Sequence, residues 1–256
     1  MAETFLITGA SSGLGLETAQ ILEQRGARVI SASRSPSNIG EHHYLDLADL
    51  TSIRNLVRTL SEEPIDCVIN NAGVLVPEPR VVHKSEVHMG INFLGHFALT
   101  KFMSESIPSL TRIVHVTSMV AQFVRFDGST EYRGMRAYAA SKLATLMFAL
   151  ELSQQDKKRR HIACHPGYSA TNIQANLALG KLGNALLGQD AKRGAESIVK
   201  AATDDVPSGS YIGPNRLFGL RGSPVTLEPY SNALDPSARE QLWSLAEARL
   251  DLQFRP

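Results

Sequence analysis

Short apolar runs alternate with helical patterns along the whole chain. The runs Phe5–Thr8, Arg28–Ala32, His43–Leu45, Cys67–Asn70, Ile113–Thr117, Ile162–His165 and Tyr211–Gly213 mostly lack polar alternation. Strands covered on both faces read this way, so the runs predict a parallel sheet. Between them, Leu14–Arg25 places Leu14, Thr18, Ile21 and Leu22 at helical spacing, and Thr51–Leu60 does the same with Ile53, Leu56, Val57 and Leu60 after an Asp/Thr cap region. Repeated strand–helix–strand units with right-handed crossovers predict an α/β fold, a Rossmann-like doubly wound parallel sheet with helices on both faces.

Two helical stretches, Val87–Met103 and Ala137–Leu152, are apolar nearly all round. Such helices need cover on both sides. The sheet supplies one side; the other is either a second subunit, as in a homodimer or homotetramer, or another part of this chain. Two long stretches break the rhythm, Val120–Arg136 and Tyr168–Gln189, and both follow strands at the carboxyl edge, where ligands bind in such sheets. Their Phe123, Phe126, Tyr132, Tyr168, Leu177, Leu182 and Leu186 read as candidate substrate-pocket walls or as ordinary loop packing. After Gly219 come Pro224, Pro229 and Pro236, then an amphipathic helix with Leu242, Trp243, Leu245 and Leu250.

Composition narrows the class. The 256 residues suit one domain spanning residues 1–256. Hydrophobic content of 43%, charged content of 20% and a formal net charge of +1 describe an ordinary globular protein, with no electrostatic case for nucleic acid. Cys67 and Cys164 fall inside strand runs and read as core residues; neither a disulfide framework nor metal-ligand spacing is visible. The start, Met-Ala-Glu-Thr, leads straight into a strand, and no apolar stretch approaches the roughly 18 residues of a membrane span. The expectation is a cytoplasmic protein with no membrane partner.

The turn after the first strand carries Gly9, Ser11, Ser12, Gly13, Leu14 and Gly15. Its glycines are spaced G-x-x-x-G-x-G, and they let backbone approach a pyrophosphate at a helix N-terminus. The second strand ends in Ser33-Arg34 with no acid to hold a ribose 2′-hydroxyl. A guanidinium there suits a 2′-phosphate, so NADP(H) is expected over NAD(H).

Tyr138 and Lys142, four apart, share one helix face. A lysine ammonium close to a phenol is expected to lower its pKa by about 1–3 units and make it usable in proton transfer near neutrality. Ser118 ends the fifth strand, where it can hold a carbonyl oxygen; Asn92, among apolar residues, wants a buried partner; Asn70-Asn71-Ala72-Gly73 closes the fourth strand and His165-Pro166-Gly167 with Thr171 the sixth.

These motifs together resemble those of the short-chain dehydrogenase/reductase family over nearly the whole chain. The resemblance implies that Tyr138 is the acid/base, that Lys142 lowers its pKa and holds the nicotinamide ribose, that Ser118 positions substrate and that Asn92 supports a proton relay through water. It implies adenine contacts from Asp46 and Leu47, and Asn71, Ala72, Gly73, Pro166, Gly167 and Thr171 as further cofactor contacts. Gly26–Arg34 resembles the NADP-preferring branch. The long Val120–Arg136 stretch, with Ile91–Phe97 and Ser141–Ala144, resembles the retinol-dehydrogenase-like branch. The implied function is NADP(H)-dependent interconversion of a small apolar or aromatic carbonyl and its secondary alcohol. The alternatives are an epimerase or dehydratase using bound NAD(H), and a non-catalytic NADP-sensing or scaffold protein on the same fold.

Overall fold

The structure, a computed structural model, describes residues 2–76, 78–128, 132–167, 191–217 and 219–256. Thr171 and the predicted 168–189 stretch lie outside them, with the pocket candidates Tyr168, Leu177, Leu182 and Leu186.

Eight strands form one sheet: β1 (Thr4–Thr8), β2 (Arg28–Ser33), β3 (Glu41–Tyr44), β4 (Cys67–Asn70), β7 (Arg112–Val116), β8 (Arg160–Cys164), β9 (Tyr211–Arg216) and β10 (Arg221–Leu227). Across the sheet the order is β10-β9-β8-β7-β4-β1-β2-β3, all parallel except the β9–β10 pair. A two-stranded hairpin, β5 (Val81–Val82) and β6 (Ser85–Glu86), stands apart. The described helices are α1 (Gly13–Gln24), α2 (Leu50–Thr59), α3 (His96–Ser106), α4 (Met135–Gln155), α5 (Ala191–Thr203) and α6 (Pro236–Leu250). From β1 the chain winds outward to β2 and β3, then returns to β4 on the other side of β1. That reversal opens a crevice at the carboxyl ends of β1 and β4.

Strand periodicity sorts the core into two layers. In β1, β4 and β7, Phe5, Ile7, Cys67, Ile69, Val114 and Val116 face the layer under α1 and α5; Leu6, Val68 and Ile113 face the layer under α2, α3, α4 and α6. Both faces being dry explains why the strands read as unbroken apolar runs. Cys67 and Cys164 are free and buried, and burial pushes the Cys67 thiol up to about 12.

The apolar pair α3 and α4 is covered from within the chain. Trp243 of α6 meets Phe97 and Phe148 at 5.3 and 5.7 Å, and Phe254 meets the same rings at 5.5 and 6.4 Å. Arg239 of α6, 7% exposed, pairs with Glu151 of α4 at 3.5 Å. The apolar helix pair therefore needs no second subunit to leave water.

β10 and α5 are among the elements absent from the sequence expectation. β10 contains Gly222 and Pro224, residues that argue against a strand. They are tolerated because β10 lies at the sheet edge, with a register shift between Arg221 and Pro224. α5 is absent from the sequence expectation, because its buried face is built largely from Gly194, Ala195, Ser197, Ala201 and Ala202, which give a weak apolar signal.

Candidate active site

The first turn is arranged for an anion. Gly9 and Gly13 hold φ of +72° and +56°, conformations that cost most other residues energy. A Cβ on Gly15 would lie 2.4 Å from the Gly9 carbonyl oxygen, so α1 starts flush against the turn. Ser12 caps α1 without a side-chain hydrogen bond, and the first turn carries no acid. Its amides and the positive end of the helix dipole face a cleft of about 1370 Å³, open mouth included.

That cleft gathers the predicted cofactor residues. Its walls include Gly9, Ser11, Ser12, Gly13, Leu14 and Gly15 from the turn, Ser33 and Arg34 after β2, and Asp46 and Leu47 after β3. Asn71, Ala72 and Gly73 follow β4, Tyr138 and Lys142 come from α4, and Pro166 and Gly167 follow β8. Ser118 lines it too; Thr171 lies outside the described residues. The sequence reading missed Ala32, Ser35, Leu45, Val74, Ile91, Val116 and Thr117, which also line it. Most are small or apolar neighbours of the motifs, with no chemistry of their own to flag them.

Thr8 organises the floor, a role the sequence did not suggest. Its hydroxyl accepts from the backbone amides of Asn71 and Ala72, both at 2.9 Å, and meets His96 Nε2 at 3.0 Å. The Asn71 side chain donates to the Thr8 carbonyl at 2.8 Å. His96 Nδ1 lies 3.0 Å from the Asn92 carbonyl oxygen, so Nδ1 carries the proton and Nε2 accepts from Thr8. Burial holds the His96 imidazole down to about 4, so it is neutral at pH 7.

Asn92 takes a different place from Ser118, Tyr138 and Lys142. It is 1% exposed, behind the cleft wall, in a π-helical segment, Met89–Gly95, that leads into α3. Its amide accepts from Val74 N at 2.8 Å, donates to Val74 O at 3.1 Å and donates to Ser141 Oγ at 3.0 Å. The expected buried partner is therefore the strap after Gly73, which the side chain holds like a neighbouring strand.

Ser118 follows β7 and lines the cleft together with the Tyr138 phenol. Lys142 Nζ donates to the Val116 carbonyl at 2.9 Å, 6.0 Å from the centre of the Tyr138 ring. Thr117 Oγ1 donates to the Lys142 carbonyl at 2.6 Å, tying α4 to the end of β7. Here the expected electrostatics are reversed. Burial pushes the Tyr138 phenol up to about 12, with the neighbouring Ser118 side chain pulling the other way, although part of the side chain opens to the cleft. Burial also lowers the Lys142 ammonium to about 8, opposed by Cys164. Loss of water is the largest cause for both groups, which sit in a low-dielectric wall, and the ammonium is spent on a carbonyl. At pH 7 the phenol holds its proton and the amine is mostly charged.

Of the loop aromatics, Phe126 and Tyr132 pack against the core, whereas Phe123 is 74% exposed. Among the described residues, no helix is long and apolar enough to cross a membrane.

The α/β fold thus has a crevice at a strand-order reversal, with an uncapped helix terminus at one end and a Ser/Tyr/Lys cluster at the other. The chain belongs to the short chain dehydrogenase family, whose model matches residues 3–181, and so to a family of oxidoreductases. It is 35% identical to human retinol dehydrogenase 13 over 67% of this chain and 60% of that protein, so this match spans less than two thirds of the relative. It is 31% identical to mouse retinol dehydrogenase 12 over 97% of this chain and 86% of that protein. Among solved structures, an uncharacterised protein from Mycobacterium Paratuberculosis superposes with a TM-score of 0.80 at 36% identity, covering 98% of this chain and 94% of that one. A short chain dehydrogenase from Burkholderia cenocepacia J2315 in complex with NADP superposes at 0.67 with 20% identity, covering 82% of this chain and 94% of that one, and shares the fold.

Proposed function

We propose that this protein reduces a carbonyl compound with NADPH, and runs the reverse oxidation of the secondary alcohol when concentrations demand it. The observation that carries the reading is the gathering of Ser118, Tyr138 and Lys142 in the wall of the cleft that the glycine turn of α1 also lines. The cleft suits a dinucleotide by its own construction. A Cβ on Gly9 would meet Ala72 at 3.0 Å and one on Gly73 would meet Lys142 Nζ at 3.3 Å, so the glycines let the walls of the cleft pack closely. Exposed Arg34 stands at the rim after β2, where a guanidinium suits a 2′-phosphate.

When bound, the nicotinamide cofactor supplies the hydride. The chain's own residues do the rest. Ser118 and Tyr138 hold the carbonyl oxygen, and the Tyr138 O–H gives it the proton. A phenol kept at about 12 is fully protonated at neutral pH, the form that reduction requires, but it is a weak acid and gives up its proton only as negative charge develops on the carbonyl oxygen. Lys142, charged at neutral pH and fixed by Val116, keeps a positive centre beside the tyrosine. The Asn92 amide contributes by holding the Val74 strap; a relay role would fall to its backbone carbonyl, which faces His96. The names of the retinol dehydrogenase relatives support an apolar substrate. Two buried free thiols accord with a reducing cytoplasm.

The test follows NADPH absorbance with a panel of ketones and aldehydes for the wild type and Tyr138→Phe. Turnover should be abolished in the variant while NADPH binding survives. Product formation without net cofactor change would indicate an epimerase or dehydratase; neither, in the wild type, would indicate a sensing or scaffold protein.

A further inference from the structure

Glu86 and His88 are 5% and 0% exposed and take no part in the chemistry described above. The Glu86 carboxylate accepts from the backbone N–H of His88 at 2.9 Å, from that of Met89, and from His88 Nδ1 at 2.9 Å. Nδ1 therefore carries the ring proton. The other nitrogen, Nε2, accepts from the Val76 amide at 3.2 Å. An imidazole pinned at both nitrogens cannot turn about its ring bond, so its plane is set.

That plane faces two tyrosines. The ring stacks on Tyr132 at 5.7 Å and 21°, and stands edge-on to Tyr138 at 6.1 Å and 80°. The Tyr132 hydroxyl in turn donates to the Val76 carbonyl at 2.9 Å. Val76 ends the strap whose Val74 is held twice by Asn92. One ring thus touches the tyrosine read as proton donor, an anchor of the 120–136 stretch, and the strap beside the cleft.

We propose that Glu86 and His88 are a positioning pair that fixes the Tyr138 ring against Tyr132, so that the phenol O–H keeps its aim into the cleft. The inference rests on Tyr138 being the proton donor. Neither residue touches substrate or cofactor. Stacking alone would not require the polar pair, since a phenylalanine would stack as well. The two hydrogen bonds add a defined ring orientation, and reaction rates are sensitive to donor misplacement of an ångström or so.

The test uses the full chain. His88→Phe keeps an aromatic ring and removes both pins. The expected result is a fall in kcat of roughly 10- to 100-fold, the scale of a small misalignment, with NADPH affinity within about twofold and a larger solvent deuterium isotope effect on kcat, because the proton step becomes slower. His88→Asn, whose amide can still donate to Glu86, should recover part of the loss. Tyr132→Phe, which removes only the bond to Val76, should lower kcat less than His88→Phe and raise KM. A folded His88→Phe variant with kcat within about twofold of wild type and an unchanged isotope effect would overturn the proposal. A loss of activity matched by a loss of NADPH affinity would overturn it too. If His88→Phe does not fold, His88→Asn and Tyr132→Phe carry the same test, and unchanged kcat, KM and isotope effect in both would overturn it. Turnover surviving in Tyr138→Phe would instead sink the reading beneath it, whereas a dead Tyr138→Phe beside a normal His88→Phe would sink this inference alone.

Discussion

Gly15→Ala sets two opposing effects of known size against each other. Gly15 is buried in the first turn of α1. In a helix interior alanine is favoured over glycine by about 1 kcal/mol. The new Cβ would, however, lie 2.4 Å from the Gly9 carbonyl oxygen, 2.6 Å from Asn71 Nδ2 and 2.9 Å from the Gly9 carbonyl carbon. None of these is the loose end of a side chain. Gly9 belongs to a turn whose N–H is bonded to Ala32 O at 2.8 Å, and Asn71 Nδ2 is bonded to Thr8 O at 2.8 Å. Forcing an extra methyl into a packed site costs about 1–3 kcal/mol, and a weakened Asn71 bond adds about 1 kcal/mol. The clash therefore wins by about 1–3 kcal/mol, a fall in Tm of about 2–12 °C for a chain of this size. The turn that would hold the pyrophosphate must shift as well, so NADPH affinity should fall about tenfold or more. Thermal unfolding without cofactor and an NADPH fluorescence titration measure the two effects separately. Gly26→Ala is the control: Gly26 has φ of +85°, and a Cβ added there would meet nothing within 4 Å, so the change should cost about 1 kcal/mol of left-handed strain and leave NADPH binding alone. A Gly15→Ala protein as stable as wild type with unchanged NADPH affinity would refute the close packing of the turn.

Three further outcomes are expected. Arg34→Ala should weaken NADPH binding about tenfold, the lower end of a charged hydrogen bond at an exposed site, and change NADH binding little; equal losses for both cofactors would remove Arg34 from 2′-phosphate recognition. Because the Lys142 ammonium is lowered to about 8, its proton leaves as pH rises through that value, so kcat/KM for carbonyl reduction should decline on an alkaline limb near 8; a profile flat to about pH 10 would contradict a role for the charge. His96 and His165 are both held down to about 4 by burial, against about 6.5 when unfolded, so the unfolded state binds more protons between those values. Stability should fall as pH drops from about 6.5 toward 4, by on the order of 3 kcal/mol per histidine when complete. Urea midpoints at about pH 7 and 4.5 measure this, and His96→Gln should show a shallower decline.

The legible parts of this protein are those set by short-range spacing. Apolar runs in β1, β2, β4, β7 and β8 had to be strands between two layers, because nothing else buries both sides of a short run. Gly9, Gly13 and Gly15 marked a bare-backbone turn, and an i, i+4 spacing put Tyr138 and Lys142 on one face, since both follow from bond geometry alone. Where distant segments meet, the signal faded. β10 has no counterpart in the sequence reading; its Pro224 is unfavourable in a strand, and its place at the sheet edge makes one acceptable. The apolar sides of α3 and α4 required cover without saying whose; Trp243 and Phe254 supply it from the end of the chain.

Local order along the chain thus determined the layers, the nucleotide turn and the pairing of tyrosine with lysine. The tertiary structure alone decided the charge state of that pair, the attachment of the Asn92 amide to the Val74 strap, and the seating of His88 between Tyr132 and Tyr138. Each of these depends on how much water is excluded and which polar groups from remote segments arrive, and no spacing within one segment carries that information.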